Sequence, residues 1–407
     1  MFRKLNPKYY LLMLWLFHGI LILFLAYINP NHYTTIDSQY YLESARNILE
    51  GRSYTILEGS QYKWNGTFPI GYPAAIAIVS FFTKTNVLWA SKIVNIGATG
   101  TWFFILNLWF GKTKSVLIGC ILLLGPFLKL WAHTWSEPLF LVILFCWVYH
   151  MHQLTNSSEL SISRLSSVLA LGFLLMLVRY AGIFIIPLSL VYCFYYLWKG
   201  ENKKSLAAML ISIFWSAGFI FYLVLNYQNS GELFGDSRFD GNIRITENIA
   251  SFTKGLINEI SLFGNFTFHS FNIFSLVGIC FRIFMIVLVV RKMRLKFTAT
   301  NWVKLNFIVA FFYLIFLFVL RIFSHFDEPG YRLLSPFTFL ILCGLVSGIS
   351  DKQMTVRLKN LLIVFIVISW MGVIPKNCLT EKFHILLHKR ESILLNRVTL
   401  FKTFKKS

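Results

Sequence analysis

Two carboxylates and two arginines stand where apolar segments of this chain begin or end, and these side chains could accept a proton and bind an anionic group. Asp37 follows the first apolar run, and Glu137 lies between two later ones. A carboxylate near an acceptor hydroxyl or amine can take its proton as a general base. Arg179 and Arg332 carry planar guanidinium groups that suit phosphate oxygens. The four residues are therefore candidates for a catalytic site.

Each acid also has a structural interpretation. Aspartate is a favoured N-cap residue, and Asp37 begins a helical pattern that ends at Gly51. Ser136 could cap a helix that holds Glu137 in its first turn, followed by Pro138. A carboxylate at membrane depth is costly, however, and such a residue usually has a function. The spacing alone leaves the capping and the functional interpretations open for both acids.

The composition identifies a membrane protein. Of 407 residues, 57% are hydrophobic and only 14% are charged, which is too little charge to cover a soluble surface. The net charge of +21 could suggest nucleic-acid binding. We exclude that partner because the basic residues lie in short runs between apolar stretches, as in cytoplasmic loops of membrane proteins.

The apolar runs predict an all-α, polytopic transmembrane helical bundle of about 11 spans. The run at 69–82 is short, and we interpret it as a juxtamembrane or re-entrant helix in the first outer loop, beside the helix that Asp37 begins. The predicted spans cover residues 9–28, 88–110, 115–131, 138–152, 165–178, 181–198, 205–226, 271–290, 303–322, 331–350 and 357–374.

The charges predict an orientation. Basic residues concentrate in alternate loops and at the N-terminus, so we place these in the cytoplasm. Most acids then face outward, which favours an active site on the outer face of the plasma membrane. We expect one transmembrane domain at 1–374 and a basic tail at 375–407. The tail would lie outside, against the rule, so either it forms an interfacial helix or the span count is off by one.

A divalent cation is a second option for the outer face. His325, Asp327 and Glu328 could ligate one together with Asp37, because carboxylate oxygens suit hard cations. The spacing has no specific geometry, and a solvated turn before Pro329 explains the same residues. The metal requirement stays open.

Two further cations near outer span ends have a simpler interpretation. Lys129 and Arg321 are expected to extend to the membrane interface, as long basic side chains do.

Five short motifs, in this order and spacing, resemble the GT-C glycosyltransferases that use a polyprenyl-phosphate-linked sugar. That superfamily includes protein O-mannosyltransferases and the aminoarabinose transferase of lipid A. The resemblance covers residues 1–200 well and the remainder loosely. Many relatives carry two adjacent acids at the first motif, whereas Ser38 follows Asp37 here. The motifs are Asp37-Ser-Gln-Tyr-Tyr-Leu, Phe68-Pro-Ile-Gly-Tyr-Pro73, Trp135-Ser-Glu-Pro-Leu-Phe140, Arg179-Tyr-Ala-Gly182 and Tyr331-Arg-Leu-Leu-Ser-Pro336.

The resemblance implies an inverting hexosyl- or pentosyltransferase with Asp37 as catalytic base and Glu137 as a second acid. Arg332 and Arg179 would bind the donor phosphate. The donor would be a polyprenyl-phosphate-linked sugar drawn from the membrane lipid, and the acceptor a glycan, lipid or protein. Tyrosines within or beside the motifs are candidates for lining the donor or acceptor pocket: Tyr40, Tyr41, Tyr72 and Tyr331.

Other classes of protein remain open. A transporter or flippase for lipid-linked glycans would place charges at midplane depth, and Arg282 lies within a predicted span. A glycan polymerase would rely on arginines in large outer loops, such as Arg238 and Arg244. A non-catalytic subunit that binds lipid-linked sugar is a further alternative.

Overall fold

Helices make up almost all of the regular structure in residues 7–157, 161–234, 244–261, 299–324, 326, 328–349 and 356–370, the part that the computed structural model describes. Short 3₁₀ turns, Cys120–Leu123 and Tyr180–Phe184, precede α6 and α9. The helices are α1 (Pro7–Ile28), α2 (Ile36–Leu49), α3 (Gly71–Thr83), α4 (Val87–Trp109), α5 (Lys112–Gly119), α6 (Gly125–Ala132), α7 (Glu137–Asn156), α8 (Ile162–Val178), α9 (Ile185–Trp198), α10 (Asn202–Ser230), α11 (Ile245–Ser261), α12 (Asn301–Phe323), α13 (Tyr331–Gly348) and α14 (Val356–Trp370).

This is a multi-pass membrane protein, and the predicted helical class is confirmed. Six described helices are long and apolar enough to cross a membrane, or up to eight if each of two bent pairs is one span. Every predicted span within the described residues falls on a helix or a broken helix. The count of about 11 is not confirmed. The predicted span at 271–290 and the tail at 375–407 lie outside the described residues.

Helix α3 is a separate short helix, in agreement with the juxtamembrane prediction for residues 69–82. It meets α4 at 104°. The corner needs Lys84 in the left-handed region (φ 56°), and Asn86 then caps α4 by accepting from the Trp89 amide at 3.0 Å. At its other end α3 touches α8, since a Cβ on Gly71 would lie 2.6 Å from the Leu177 carbonyl oxygen. Only glycine allows this backbone approach without a shift.

The predicted span at 115–131 is broken. The segment from Lys114 to Leu123, which comprises most of α5 and the 3₁₀ turn, is bent by 66° against α6. The cause lies in Gly125-Pro126, because proline lacks the amide hydrogen that would continue the helix and suits the first turn of a new one. The predicted span at 115–131 is therefore a bent helix pair, which can still count as one span.

A small β-hairpin, which the sequence analysis did not predict, lies between α2 and α3. Strand β1 (Thr55–Glu58) pairs antiparallel with β2 (Gln61–Trp64). Gly59 in the turn has φ +64°, a conformation that favours glycine. Trp64 Nε1 donates to Asn226 Oδ1 at 3.0 Å, which ties the hairpin to the C-terminal end of α10.

Helix α7 lies at the centre of the bundle and contacts α4, α8, α12 and α13. Its side chains are mostly buried, with Phe140 and Phe145 fully enclosed and Trp147 packed against Trp215. A helix that is apolar on all sides must be enclosed by protein or lipid. Glu137 lies at the N-terminus of α7, where the ends of neighbouring helices can bring side chains to it.

Candidate active site

Asp37 lies in the first turn of α2 without serving as its cap. The N-cap is Thr35, whose backbone amide donates to the Ser38 hydroxyl at 3.0 Å. This reciprocal arrangement is a capping box. The capping interpretation of Asp37 is therefore wrong, and its carboxylate is directed to another partner.

Glu137 begins α7, as the helix-start interpretation expected, but Ser136 does not cap the helix with its side chain. The Ser136 hydroxyl instead accepts from Arg179 Nη1 at 3.3 Å and lies 3.3 Å from the Tyr41 hydroxyl. The Glu137 side chain is only 1% exposed. A carboxylate buried this deeply requires cationic partners.

The fold brings all four predicted charged residues together. Arg332, at the start of α13, donates from Nε to Glu137 Oε1 at 2.5 Å and from Nη1 to Asp37 Oδ2. Arg179, at the end of α8, pairs with the same Glu137 oxygen. The Arg332 guanidinium also lies over the Trp135 ring, 4.5 Å from its centroid. Two acids and two arginines thus form one formally neutral cluster.

The two acids differ in accessibility. The Asp37 side chain is 29% exposed, and that of Arg332 is 18% exposed, against 1% for Glu137. A group that exchanges protons with a substrate must be reachable, whereas a buried carboxylate mainly fixes the charges around it. Of the two acids, Asp37 is the one that is accessible to a ligand, whereas Glu137 holds both arginines.

A cavity of about 380 Å³ opens beside the cluster. One part of its wall is polar and the rest is mostly apolar, so the cavity suits a ligand with an anionic head and an apolar chain. The polar wall consists of Asp37, Tyr41, Ser136, Arg179 and Arg332. The remaining wall comes from Phe68, Pro69, Val178, Tyr180, Ala181, Ile183, Phe219, Phe234, Leu317, Leu320, Ser324, Phe326 and Leu333.

Tyr41 is the predicted pocket tyrosine that lines this cavity. Its ring is 2% exposed, and burial raises the pKa of Tyr41 to about 12. The hydroxyl therefore stays protonated at neutral pH and can donate a hydrogen bond, but it cannot act as a base there.

The other three predicted tyrosines do not line the described cavity. Tyr40 packs against Phe68, and Tyr72 is fully buried with its hydroxyl donating to Asn95 Oδ1 at 3.4 Å. The Tyr331 ring lies under the Lys129 ammonium, 5.1 Å away. Their contacts in this structure are with protein side chains around the site.

The metal prediction remains untested. His325 and Asp327 lie outside the described residues. Glu328 pairs with Lys254 at 3.1 Å, and Asp37 pairs with Arg332. Among the described residues, no group of three or more His, Cys, Asp or Glu side chains is placed to hold a metal ion.

Arg321 does not extend to the interface as expected. Its side chain is 6% exposed and donates to Asn248 Oδ1 at 3.2 Å and to the Phe326 carbonyl at 3.4 Å. Asn248 lies on α11, far from Arg321 along the chain, so the sequence carries no signal of this contact.

The cavity wall on α10 and α12 was also missed. Phe219, Leu317 and Leu320 are apolar residues within apolar spans, so their types carry no signal that separates a cavity wall from a lipid-facing surface.

No family model and no curated protein matches the chain. Its structure is similar to ArnT from Cupriavidus metallidurans. With the apo form the identity is 14% and the TM-score 0.48, over 80% of this chain and 57% of ArnT. With the form bound to undecaprenyl phosphate they are 15% and 0.49, over 86% and 63%. The chain thus spans less than two thirds of ArnT. Values this low do not establish a shared activity.

Proposed function

We propose that this chain is a membrane glycosyltransferase that transfers a sugar from a polyprenyl-phosphate donor to an acceptor at the outer face of the plasma membrane. One observation carries the proposal: Arg332 bridges Asp37 and Glu137 at the polar wall of a cavity that is otherwise mostly apolar. A lipid-linked sugar phosphate has the matching chemistry, with an anionic group between a polar sugar and an apolar chain.

The transfer is a displacement with inversion. The acceptor oxygen or nitrogen attacks the anomeric carbon from the face opposite the phosphate, and the bond from that carbon to the phosphate oxygen breaks. Asp37 takes the acceptor proton. The bonding electron pair leaves with the polyprenyl phosphate, whose added negative charge faces Arg332 and Arg179. Asp37, Arg179 and Arg332 all line the cavity, so each can reach the substrate group that its role requires.

Arg332 Nη1 donates to Asp37 Oδ2. A donor phosphate that takes over this guanidinium edge leaves the Asp37 oxygen free to accept a proton. The donor would therefore bind before the acceptor is activated.

A purely structural ion-pair cluster is the competing interpretation, since charges buried in a membrane protein must be compensated. A cluster with only a structural role would have its charged side chains closed off from solvent. Here Asp37 and Arg332 keep 29% and 18% of their side-chain surface exposed and line a cavity. This accessibility favours the catalytic interpretation.

A transporter or flippase would need charges along a path through the middle of the bundle. The four charged residues instead lie at helix ends: Asp37 and Glu137 in first turns, Arg179 at the end of α8 and Arg332 at the start of α13. This placement favours chemistry near one surface. The transporter alternative rests on Arg282, and the polymerase alternative rests in part on Arg238. Both residues lie outside the described residues.

The test is Asp37→Asn in the full chain in lipid nanodiscs, assayed with a panel of undecaprenyl-phosphate-linked hexoses and pentoses. Because a general base contributes about 10²- to 10⁴-fold, we expect turnover to fall by that factor while membrane insertion and thermal stability persist. Glu50→Gln, at an exposed acid just after α2, is the matched control and should keep wild-type turnover.

Two results would overturn the proposal. A wild-type chain that transfers no sugar from any donor in the panel contradicts the function. Wild-type turnover by Asp37→Asn contradicts the role of the base, and loss of insertion by that variant supports the structural interpretation.

A further inference from the structure

Lys92 is a buried cation in the second turn of the apolar helix α4. Its side chain is 0% exposed, and no carboxylate of the described residues lies within ion-pair distance. A charged residue inside a membrane span is expensive and usually marks a function. The four charged residues of the candidate site do not account for it.

The partners of Lys92 all belong to the connection between α6 and α7. Its ammonium donates to the Ala132 carbonyl at 2.6 Å and to the Thr134 hydroxyl at 2.9 Å. Ala132 is the last residue of α6, where carbonyls lack partners within the helix and the helix dipole favours a cation. Lys92 thus serves as a side-chain cap for the C-terminus of α6.

Asn95, three residues further along α4, extends the same support. Its amide nitrogen donates to the Trp131 carbonyl at 2.8 Å and to the His133 carbonyl at 2.9 Å. Ser38 on α2 donates to the Thr134 carbonyl at 2.9 Å. Each carbonyl from 131 to 134 therefore has a side-chain partner, as irregular backbone at membrane depth requires.

The supported segment leads directly into the site. Ser136, which contacts Arg179, and Glu137, which pairs with both arginines, follow Thr134 by two and three residues. A displacement of about 1 Å in such a segment can cost roughly 100-fold in rate.

We infer that Lys92 is a positioning residue, with Asn95 as its helper, that holds the α6–α7 connection so that Glu137 meets both arginines; its catalytic consequence rests on the proposed function. Lys92 does not line the cavity beside the cluster, so it acts through Glu137. A role in overall stability alone would not single out this connection.

Hydrogen exchange on the full chain in lipid nanodiscs tests the structural part without a substrate. In Lys92→Met we expect the amides of residues 133–137 to exchange roughly tenfold faster or more, while those of α10 stay unchanged. Lys92→Arg, which keeps the charge and the donors, should exchange as the wild type does. Lys84→Met is the control, because Lys84 is an exposed cation packed on Phe81. Unchanged exchange in Lys92→Met would overturn the inference.

Turnover tests the catalytic part with the same donor panel. We expect kcat of Lys92→Met to fall about tenfold or more with KM for the donor within about twofold, and Lys92→Arg to restore kcat. If Lys92→Met does not fold, Lys92→Gln takes its place in both measurements.

The two proposals fail in different ways. No transfer by the wild type contradicts the proposed function, while the exchange data still decide the role of Lys92. Transfer by the wild type with an unchanged kcat in Lys92→Met contradicts the inference and leaves the function standing.

Discussion

At the scale of single residues, Glu137 sets the charge balance of the site. One of its oxygens meets both arginines, and the other, Oε2, has no hydrogen-bond partner among the described residues. Replacing this carboxylate leaves two guanidinium groups facing each other with only Asp37 as counter-charge. The stability of the site therefore depends on Glu137 more than on the accessible Asp37.

Glu137→Gln should destabilise the protein strongly, by about 3–5 kcal/mol, because an uncompensated buried charge remains. Thermal unfolding in detergent measures the effect. Adding Arg179→Met should recover part of the loss, since it removes one of the unpaired cations. Glu58→Gln is the matched control: Glu58 pairs with Lys63 at the surface, and exposed pairs contribute little. Equal shifts for the two Glu→Gln variants would contradict this account.

The four charged residues could be selected from the sequence because charge at the end of an apolar run is costly and visible. Their pairing could not. Arg332 and Asp37 are separated by 295 positions, and their contact depends on how α2 and α13 pack around α7. Lys92 was also visible as a cation within an apolar run, but its partners are backbone carbonyls, which carry no sequence signal.

At the scale of elements, the N-terminal end of α3 supports one side of the cavity. Phe68 and Pro69 of the cavity wall directly precede α3, and the Ile70 amide donates to the Tyr222 hydroxyl of α10 at 3.1 Å. Because Gly71 lies against the α8 backbone, α3 has no room to move closer to α8 at this point.

Gly71→Ala should destabilise the protein by about 1–3 kcal/mol, because the added methyl group meets the Leu177 carbonyl. Gly97→Ala is the control within α4, where a Cβ meets nothing within 4 Å. It should stabilise the helix by about 0.5–1 kcal/mol. Melting temperatures of the two variants should move in opposite directions, and a common direction would refute the packing argument.

The long helices were predictable because about 20 consecutive apolar residues have few alternatives in a membrane. The hairpin was not, since strands of four residues are too short for a clear alternation. Gly125-Pro126 is a sequence signal for the break before α6. The residues on both sides are apolar, however, so the hydropathy predicts one continuous span.

At the scale of the whole molecule, the two ends of helix α10 relate the site to the proposed orientation of the protein in the membrane. The hairpin is hydrogen-bonded to Asn226 near the C-terminal end of α10, and Lys203 lies at the N-terminal end of the same helix. A helix from Asn202 to Ser230 is about 43 Å long, enough to cross a bilayer. If the basic loops are cytoplasmic, the hairpin and the site face outward.

Cysteine labelling on intact cells tests this orientation. In a chain with its native cysteines replaced, Ser60→Cys in the hairpin turn should react with a membrane-impermeant maleimide before lysis. Lys203→Cys should react only after lysis, because the positive-inside rule places it in the cytoplasm. The cysteine-free chain is the control, and the reverse pattern would invert the proposed topology.

The separation of the four charged residues along the chain also has a consequence for synthesis. Chains fold from the N-terminus as they leave the ribosome. Glu137 and Arg179 enter the membrane on neighbouring helices and can neutralise each other at once. Arg332 arrives much later, after α12. The Glu137–Arg179 pair can therefore form in the half-made bundle, and the cluster of four charged residues is complete only when α13 is in place.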